Sequence, residues 1–312
     1  MLSIQDHEIR SIISMTDAIS CMEEGFSDFY DGLFTVPQRS KMEIDGATIL
    51  SMPAYRNKGK YFTLKVVSVF QPLSKNHSKM IQSSILVFNS KDGTLIASLD
   101  GDEITAIRTG AVSGLATKFF ASTKSNTVAV FGTGSQAVTQ IEAMINVRPI
   151  EKIFVFSRGL KSSKKFSKYL LETHSINSIP GELKNLKEVD IICTATPSKT
   201  ELFSLNNLKK GVHINAIGSF KPSMREISND VIIDSKVIVD SIASCKKEAG
   251  DLIQAEENSS WRFNDVFMEL GSIAKGKKTY KESIHHNSLF KSVGLGFQDL
   301  VITEFLLKRL GK

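Results

Sequence analysis

The feature that most constrains the fold of this chain is a glycine-rich loop between an apolar run and a helix-like run. The segment VAVFGTGSQAVTQ, residues 128–140, reads as a β-strand, a Gly-x-Gly-x-x-Ala loop and the start of a helix near Gln136. Gly132 would make the tight turn, Gly134 would let a pyrophosphate approach the backbone, and Ala137 would permit close helix–strand packing. The phosphates would bind the N–H groups that open the helix, around Ser135. A purely structural turn is the alternative.

The alternation of strands and helices around this loop favours dinucleotide binding. From about Ala106 onward, helix-like runs such as QAVTQIEAMI and KSSKKFSKYLLETH alternate with strand-like runs such as KIFVF, VDIICTAT, GVHINAIG and VIVDS. The run DIICTAT is apolar on both faces, which is typical of a parallel strand covered by helices. The fold class predicted for this part is α/β, a Rossmann-type doubly wound parallel sheet.

The first hundred residues have a different pattern. The segment TDAISCMEEGFSDFYDG, residues 16–32, predicts a helix with Thr16 as its N-cap. The runs SKMEI, ATILSMPAY, YFTLKVVSVF and SSILVFNSKDGTLIASLD then predict strands, with Asp92-Gly93 as a hairpin turn. The tail GLGFQDLVITEFLLKRL reads as an amphipathic helix that packs on this part. An α+β unit therefore precedes the α/β part.

The end of the second α/β strand, KIFVF, bears on which dinucleotide binds. It runs into Ser157 and Arg158, where an acidic residue would bind the ribose 2′-hydroxyl of NAD, and no acid is present. A guanidinium can bind a 2′-phosphate bidentately, so Arg158 favours NADP(H), with NAD(H) still possible. Arg158 as an ordinary surface residue is the alternative.

Two later strand ends provide further candidate cofactor contacts, because ligands of such sheets lie outside the carboxyl ends of the strands. Ordinary turns between strand and helix are the equally weighted alternative. The candidates are Thr194, Ala195 and Thr196 in CTATPS, and Ile217 and Gly218 in NAIGSF.

Composition excludes several classes of function. Lys and Arg exceed Asp and Glu by 39 to 33, but the excess is spread along the chain and is not interleaved with aromatics, so no nucleic-acid partner is expected. Three isolated cysteines give no disulfide framework and suit a reducing compartment. With neither a signal-peptide pattern nor a membrane-spanning run, the sequence predicts a cytoplasmic protein.

Several segments taken together resemble the ornithine cyclodeaminase/mu-crystallin family. They are EITAIRTGAVSGLATKFFA, VAVFGTGSQAVTQIEAM, ICTAT, INAIGS followed by P and RE, VIVDS and LFKSVGLGFQD, with the IRTGA and GTGSQA segments the most specific. The resemblance implies a discontinuous substrate-binding and dimerisation domain, residues 1–120 plus 291–312. It implies an inserted Rossmann dinucleotide-binding domain, residues 121–290, and a homodimer.

The resemblance also implies site residues. Arg39 matches an arginine of the family's first strand, Lys65 a lysine two strands on, and Arg108 an arginine before the helix that leads into the Rossmann domain. Together they would bind a small imino or amino acid and form the catalytic set. Lys65 stands in an apolar strand, where an unpaired ammonium would be costly, so we expect it to have an anionic partner. Structural salt bridges are the alternative. The resemblance adds Met52 as a pocket-lining residue, or else a core methionine, and Thr109 and Ser292 as cofactor contacts.

One position departs from the family's cyclodeaminases, which carry an aspartate in an IGxDxP pattern. Phe220 stands there, in Ile217-Gly218-Ser219-Phe220-Lys221-Pro222, and it cannot accept a proton. The resemblance therefore favours an NAD(P)H-dependent reductase of ketimines or of pyrroline- or piperideine-carboxylates. The alternatives are an ornithine cyclodeaminase-type ammonia lyase, an enzyme similar to alanine dehydrogenase and a non-catalytic NADPH-binding protein.

Two other groups of residues give weaker signals. Adjacent histidines such as His285 and His286 point apart, and no cysteine or carboxylate set completes a metal site, so no metal is expected. Asp299 and Glu304 of the C-terminal helix are expected to be capping or surface charges.

Overall fold

The computed structural model describes residues 2–70, 81–280 and 286–312, which divide into two compact units. The first unit contains residues 1–108 and 294–312, and the second contains Thr109–Val293. The family resemblance implies boundaries at 120/121 and 290/291. The second of these would cut a strand, and the observed first boundary lies inside one continuous helix.

The elements of the described residues are numbered in chain order. The strands are β1 (Leu2–Ile4), β2 (Phe34–Thr35), β3 (Ser40–Ile44), β4 (Ala47–Arg56), β5 (Tyr61–Val69), β6 (Ile81–Asn89), β7 (Leu95–Asp100), β8 (Thr127–Phe131), β9 (Lys152–Phe156), β10 (Asn177–Pro180), β11 (Ile191–Thr194), β12 (Lys199–Phe203), β13 (His213–Ala216), β14 (Arg225–Ile227), β15 (Ser235–Val239), β16 (Met268–Glu269) and β17 (Asn287–Lys291). The helices are α1 (Asp6–Ile12), α2 (Met15–Tyr30), α3 (Gly101–Phe120), α4 (Ser135–Val147), α5 (Leu160–His174), α6 (Asn229–Asp234), α7 (Ile242–Glu248), α8 (Gly250–Asn258), α9 (Leu270–Ala274) and α10 (Gly296–Arg309). Short 3-10 helices lie at Leu183–Glu188, Leu205–Asn207 and Phe263–Asp265.

The first unit is an α+β unit built on a largely antiparallel sheet. Its strand order is β1-β7-β6-β5-β4-β2, with β3 also paired to β4, and only β1 beside β7 is parallel among its described pairs. The hairpin predicted at Asp92-Gly93 is confirmed: β6 and β7 are antiparallel, and Gly93 has the φ of +71° that such a tight turn favours.

Two helix starts differ from the prediction. Helix α2 begins at Met15, and its N-cap is Ser14 instead of Thr16. The Ser14 hydroxyl accepts the Asp17 N–H at 3.1 Å, and the Asp17 carboxylate accepts the Ser14 N–H at 3.2 Å, which makes a reciprocal capping box. Helix α3 begins at Gly101, ahead of Ala106, near which the sequence changes to alternating helix-like and strand-like runs.

The C-terminal helix α10 packs inside the first unit, as predicted, against α2 and the sheet. The Phe297 ring lies 5.0 Å from that of Phe26, 4.7 Å from that of Phe29 and 5.2 Å from that of Phe34. A Cβ on Gly296 would stand 3.0 Å from the Pro53 carbonyl oxygen, so the first turn of α10 approaches β4 closely. This packing brings the residues that follow Phe297 to the sheet.

The second unit is the predicted Rossmann-type doubly wound sheet, and the fold class is confirmed. Its strands are all parallel in the order β10-β9-β8-β11-β13-β17-β15-β16, with β12 and β14 forming a separate pair among the described residues. After β8 the chain first adds β9 and β10 on one side, and then β11 and β13 on the other. This reversal at β8 and β11 is the topological switch point at which such sheets bind ligands.

Strand β17 is a component that the sequence analysis missed. It lies between β13 and β15, although Asn287, Ser288 and Lys291 make it look polar.

None of the described helices combines the length and apolar character that crossing a membrane requires.

Candidate functional site

Lys65 of β5 is the centre of a buried charge cluster in the first unit. Its side chain is 2 % exposed, and its Nζ lies 2.7 Å from Asp299 Oδ2 and donates to Thr105 Oγ1 at 3.2 Å. The anionic partner expected for a buried lysine is therefore Asp299. The pKa of Lys65 is lowered to about 8, chiefly by burial, with Asp299 acting in the opposite direction and Arg108 and Arg39 adding to the lowering. Lys65 can thus exchange a proton near neutral pH.

Asp299 is not the capping or surface charge that the sequence predicts. Its side chain is 1 % exposed, and it bridges two cations, with Oδ2 at Lys65 and Oδ1 at 3.3 Å from Arg108 Nε. On α10 it lies on the same stripe as Ile302 and Leu306, which are fully buried. A carboxylate inside an apolar stripe is the signal that could have identified it from the sequence.

Glu304, in contrast, keeps part of its side chain exposed. It is half-buried and accepts a hydrogen bond from Arg56 Nε at 3.1 Å, while burial raises its pKa. The prediction of a surface charge therefore describes Glu304 better than Asp299, because the Glu304 side chain is 23 % exposed.

The other two predicted cations belong to the same cluster. Arg108 on α3 donates from Nη1 to Gln298 Oε1 at 2.9 Å, and Arg39 donates from Nη2 to the Gly294 carbonyl at 2.7 Å. Arg39 directly precedes β3, the strand formed by SKMEI. Gln298 was missed from the sequence because its partner lies on α3, far away along the chain.

Gly294 separates the two arginines and has no room for a side chain. Its φ is +81°, and a Cβ built on it would lie 2.6 Å from Arg108 Nη1. Its carbonyl meanwhile accepts from Arg39. The backbone at Gly294 therefore contacts one guanidinium group directly and leaves room for the other.

We expect Gly294→Ala to damage substrate binding as well as stability. A left-handed φ costs a non-glycine residue about 1–3 kcal/mol of unfolding free energy. The displaced Arg108 contacts, worth about 1.5–3 kcal/mol, should also raise the KM of a carboxylate substrate roughly tenfold. Gly32→Ala is the matched control, since Gly32 has φ +72° and open space around its Cβ position. Equal KM values for the two variants would show that Gly294 does not position Arg108.

Met52 lies directly across from Lys65. It pairs with Lys65 between β4 and β5, so both side chains project from the same face of the sheet, and Met52 is buried. Its predicted role beside a bound substrate remains a prediction.

The glycine-rich loop of the second unit has the shape that a dinucleotide requires. Gly132 has φ +114°, and a Cβ there would stand 2.5 Å from the Ala195 carbonyl oxygen, so only glycine fits. Gly134 is the N-cap of α4, and a Cβ on it would meet no atom within 4 Å. The protein itself does not need a glycine at this exposed position, whereas a phosphate approaching the backbone does.

The first turn of α4 completes the loop. Ser135 is exposed, Gln136 is half-buried, and Ala137 is fully buried where the helix packs on the sheet. The opening N–H groups of a helix have no intrahelical acceptor, and together with the helix dipole they make an anion site. These residues therefore fit the phosphates of a nicotinamide dinucleotide.

Ser157 and Arg158 follow β9 at the neighbouring strand end. Ser157 Oγ donates to the Gly159 carbonyl at 2.8 Å, which shapes the turn into α5, and Arg158 is exposed. The structure describes no acidic residue between the end of β9 and the start of α5. The placement is the one from which a cation reaches a ribose substituent.

The remaining predicted cofactor residues lie at other carboxyl strand ends, with the exception of Thr109 on α3. The backbone links the loop after β11 to the glycine-rich loop, since the Ala195 N–H donates to the Phe131 carbonyl at 2.8 Å. Ser292 is buried, and its hydroxyl donates to Asp240 Oδ2 at 2.7 Å. The set at the strand ends is Thr194, Ala195, Thr196, Ile217, Gly218 and Ser292.

Phe220 lies half-buried in the loop after β13, with the Lys221 ammonium 5.8 Å from its ring. The carboxylate that binds this loop is Glu226, the second residue of the RE pair in the family resemblance, to which no role was assigned from the sequence. It is fully buried and accepts the Gly218 N–H at 2.8 Å, so it faces inward. Among the residues that the structure describes, no group of three His, Cys, Asp or Glu could hold a metal, and His285 lies outside them.

Comparison with known proteins identifies the family. The model of the ornithine cyclodeaminase/mu-crystallin family matches residues 2–311. The chain belongs to this family. The resemblance seen in the IRTGA and GTGSQA segments is thereby confirmed over almost the whole chain.

Two curated relatives within the family are reductases of imines. A Delta(1)-pyrroline-2-carboxylate reductase of Bacillus cereus is 34 % identical over 314 residues, covering 99 % of this chain and 96 % of the relative. The ketimine reductase mu-crystallin of Rattus norvegicus is 29 % identical, covering 97 % of this chain and 94 % of the relative.

Solved structures of family relatives have the same fold. The Delta(1)-pyrroline-2-carboxylate reductase of Thermococcus litoralis, solved with NADH and L-proline, has a TM-score of 0.94 at 31 % identity and covers 99 % of this chain and 97 % of that one. An archaeal alanine dehydrogenase, solved as a dimer with bound NAD, has a TM-score of 0.92 at 26 % identity and covers 99 % of this chain and 95 % of that one.

Proposed function

We propose that this protein is a nicotinamide-dependent reductase of small imino acids, with Δ1-pyrroline-2-carboxylate as the first candidate substrate. The observation that carries the proposal is the buried cluster in which Lys65 is placed between Asp299 and Thr105, in the electrostatic field of Arg39 and Arg108. The relatives named for this substrate support it, since they align over the full chain.

The reduction needs a hydride at the C=N carbon and a proton at the nitrogen. The bound nicotinamide cofactor supplies the hydride. Arg39 and Arg108 bind the substrate carboxylate, for which guanidinium groups are suited. Lys65 hydrogen-bonds the imine nitrogen and gives it the proton, so the C=N bond becomes the secondary amine of a cyclic amino acid such as proline. Lys65 then regains a proton from solvent.

The lowered pKa of Lys65 suits this role. An ammonium with a pKa near 8 is still protonated at pH 7, yet it releases its proton more readily than an exposed lysine. Asp299 orients the ammonium and keeps it protonated. Because Asp299 has both oxygens engaged by Lys65 and Arg108, it acts through them and not as an independent base.

The proposed cofactor site uses the glycine-rich loop and the carboxyl ends of β9, β11 and β13. Gly132, Gly134 and the first turn of α4 would hold the pyrophosphate, and Ser157 with Arg158 would face the adenosine ribose. The other strand-end residues, with Thr109 and Ser292, would contact the remaining half of the dinucleotide.

We further propose that NADP(H) binds more tightly than NAD(H), because Arg158 can pair with a 2′-phosphate and no acid stands in its place. Arg158→Ala should weaken NADPH binding by about 1.5–3 kcal/mol and leave NADH binding almost unchanged. Titration of cofactor fluorescence measures both affinities. Equal affinities of the unaltered protein for the two cofactors would contradict the proposal.

A homodimer formed through the first unit is part of the proposal. Strand β3 is exposed along its whole length and carries Met42 and Ile44, which are 55 % and 38 % exposed. Apolar side chains on an exposed strand favour a two-fold partner. Light scattering at micromolar concentration should give the mass of two chains, and Met42→Lys should shift it towards one. A monomer at that concentration would contradict this part.

The alternatives predict different products. Ornithine cyclodeaminase chemistry would release ammonia from ornithine, alanine dehydrogenase chemistry would aminate pyruvate, and a binding protein would turn over nothing. Phe220 argues against the first of these, because it cannot accept a proton in place of the cyclodeaminase aspartate.

The experiment that tests the proposal follows NADPH and NADH absorbance with pyrroline- and piperideine-carboxylates, with pyruvate plus ammonia, and without substrate. Ammonia release from ornithine is measured in parallel. We expect oxidation of the cofactor with the cyclic imines and none with ornithine. Ornithine turnover without imine reduction would overturn the assignment and the argument from Phe220.

A further inference from the structure

Glu226 of β14 is a fully buried carboxylate that receives five hydrogen bonds. Its Oε1 accepts from the Thr196 N–H at 2.7 Å and from the Thr196 hydroxyl at 2.8 Å. Its Oε2 accepts from the Thr194 hydroxyl at 2.8 Å, the Gly218 N–H at 2.8 Å and the Ser219 N–H at 3.2 Å. One side chain therefore satisfies three backbone N–H groups and two hydroxyls.

These donors come from two different loops. Thr194 and Thr196 belong to the exit from β11, and Gly218 and Ser219 to the exit from β13, the next strand of the sheet. Both exits lie at the carboxyl ends of the strands, on the side of the switch point away from β9. With the adenosine ribose at the end of β9, the nicotinamide half of a dinucleotide extends over the exits of β11 and β13.

The two loops meet with no space to spare. A Cβ on Gly218 would stand 2.4 Å from the Thr196 carbonyl oxygen and 2.5 Å from Glu226 Oε1. Glycine at 218 thus lets the loops close around the carboxylate. A shorter or differently charged side chain at 226 would leave backbone N–H groups buried without an acceptor.

Glu226 is itself fixed by a second buried group. Asp251 Oδ1 accepts the Glu226 N–H at 2.6 Å and the Ile227 N–H at 3.0 Å, and Asp251 Oδ2 pairs with Lys291 Nζ at 2.8 Å. Burial and Asp251 raise the pKa of Glu226, while Lys291 and the donors of Thr196 act in the opposite direction. The chain of contacts ties the loops to β17, which lies between β13 and β15.

We propose that Glu226 is a positioning residue that holds the β11 and β13 exit loops in the arrangement that binds the nicotinamide half of the cofactor. It does not touch the cofactor, and it acts through the backbone of Thr196 and Gly218. The inference rests on the proposed nicotinamide-dependent function and adds to it a residue outside the binding surface.

Glu226→Gln is the decisive variant, because an amide keeps the size of the side chain but replaces one acceptor by a donor. That donor would face the Gly218 or Thr196 N–H and force the two loops apart. Losing charge-assisted hydrogen bonds of this kind should weaken NADH binding by roughly tenfold or more. The KM for NADH should rise much more than the KM for the imine.

Asp190→Asn is the matched control, since Asp190 Oδ2 also accepts two backbone N–H groups, from Asn126 at 2.9 Å and Thr127 at 3.1 Å. It directly precedes β11 and binds the amino end of β8, so it lies at the end of the sheet opposite to the one where ligands bind. Both variants should melt at lower temperature than the unaltered protein. Only Glu226→Gln should lose NADH affinity, measured well below its melting temperature.

Three results decide the matter. Cofactor affinity unchanged in Glu226→Gln, or lowered equally in Asp190→Asn, overturns the inference, whereas failure of the unaltered protein to bind either NADH or NADPH overturns the proposed function instead. If Glu226→Gln does not fold, hydrogen exchange of the native protein decides. Slow exchange of the Thr196, Gly218 and Ser219 amides without cofactor supports prior positioning by Glu226, and fast exchange that slows only with NADH contradicts it.

Discussion

Lys65→Met should lower kcat/KM for reduction of a cyclic imino acid by about 100- to 10,000-fold, the range usual for loss of a positioned proton donor. Methionine has a similar length and suits the apolar surroundings of β5, but it can neither donate a proton nor pair with Asp299. Cofactor binding should change little, because the glycine-rich loop belongs to the second unit. The loss should therefore fall on the chemical step, with kcat reduced more than NADH affinity.

Lys60→Met is the control for this variant. Lys60 is exposed just before β5 and lies over the Tyr61 ring, so its charge is lost without disturbing the buried cluster. We expect near-normal kcat/KM from it. A Lys65→Met enzyme with kcat within a few fold of the unaltered protein would remove Lys65 from the mechanism.

Asp299→Asn should reduce both stability and the pH range of activity. Removing the anion leaves the Lys65 and Arg108 cations buried together, and breaking a buried pair in this way costs about 3–5 kcal/mol of unfolding free energy. Asp299 also raises the pKa of Lys65 against the effect of burial, so its loss should lower that pKa below its value of about 8. Chemical denaturation and a pH profile measure the two effects.

The sign of the pH effect follows from the role of Lys65 as an acid. Activity requires protonated Lys65, so kcat/KM of the unaltered protein should be highest below its pKa and fall as pH rises through about 8. In Asp299→Asn this fall should move to lower pH. Glu304→Gln, on the same helix and bound to Arg56, is the control and should leave the profile in place. An unshifted profile in Asp299→Asn would separate Asp299 from Lys65 function.

The parts of the fold that the sequence predicted are those whose determinants are local. The hairpin at Asp92-Gly93 follows from a dipeptide that adopts the turn, and the glycine-rich loop follows from Gly132 and Gly134 at fixed spacing. In both cases a few neighbouring residues carry the conformational requirement, so no distant contact is needed to recognise it.

The elements that were missed depend on partners far away in the chain. Strand β17 looks polar because it contains Asn287 and Lys291. Both side chains are buried beside partners far away in the chain: Lys291 pairs with Asp251, and Asn287 donates to Asp234 at 2.9 Å. Asp299 looks like a surface charge until Lys65 is placed beside it. A charged side chain is stable in the core only beside its counter-charge, and the sequence alone does not show which two charged residues lie together.

The candidate site was predicted in the same uneven way. Arg39, Lys65 and Arg108 were found through the family resemblance, and the structure brings them into one cluster. Glu226 could not be found from spacing, because its five donors come from two loops that meet only in the folded sheet. Residues that position others leave a weaker sequence signal than residues that a motif contains.

Transfer of a labelled hydride tests the proposed reaction most directly. The protein is incubated with Δ1-pyrroline-2-carboxylate and NADH or NADPH carrying two deuterium atoms at C4 of the nicotinamide, and the product is examined by mass spectrometry and NMR. We predict proline with one deuterium at C2, because the hydride reaches the C=N carbon and the nitrogen receives its proton from Lys65. Proline without deuterium at C2 would contradict the assignment as an imine reductase. So would the absence of proline in this incubation, if a separate incubation with ornithine released ammonia.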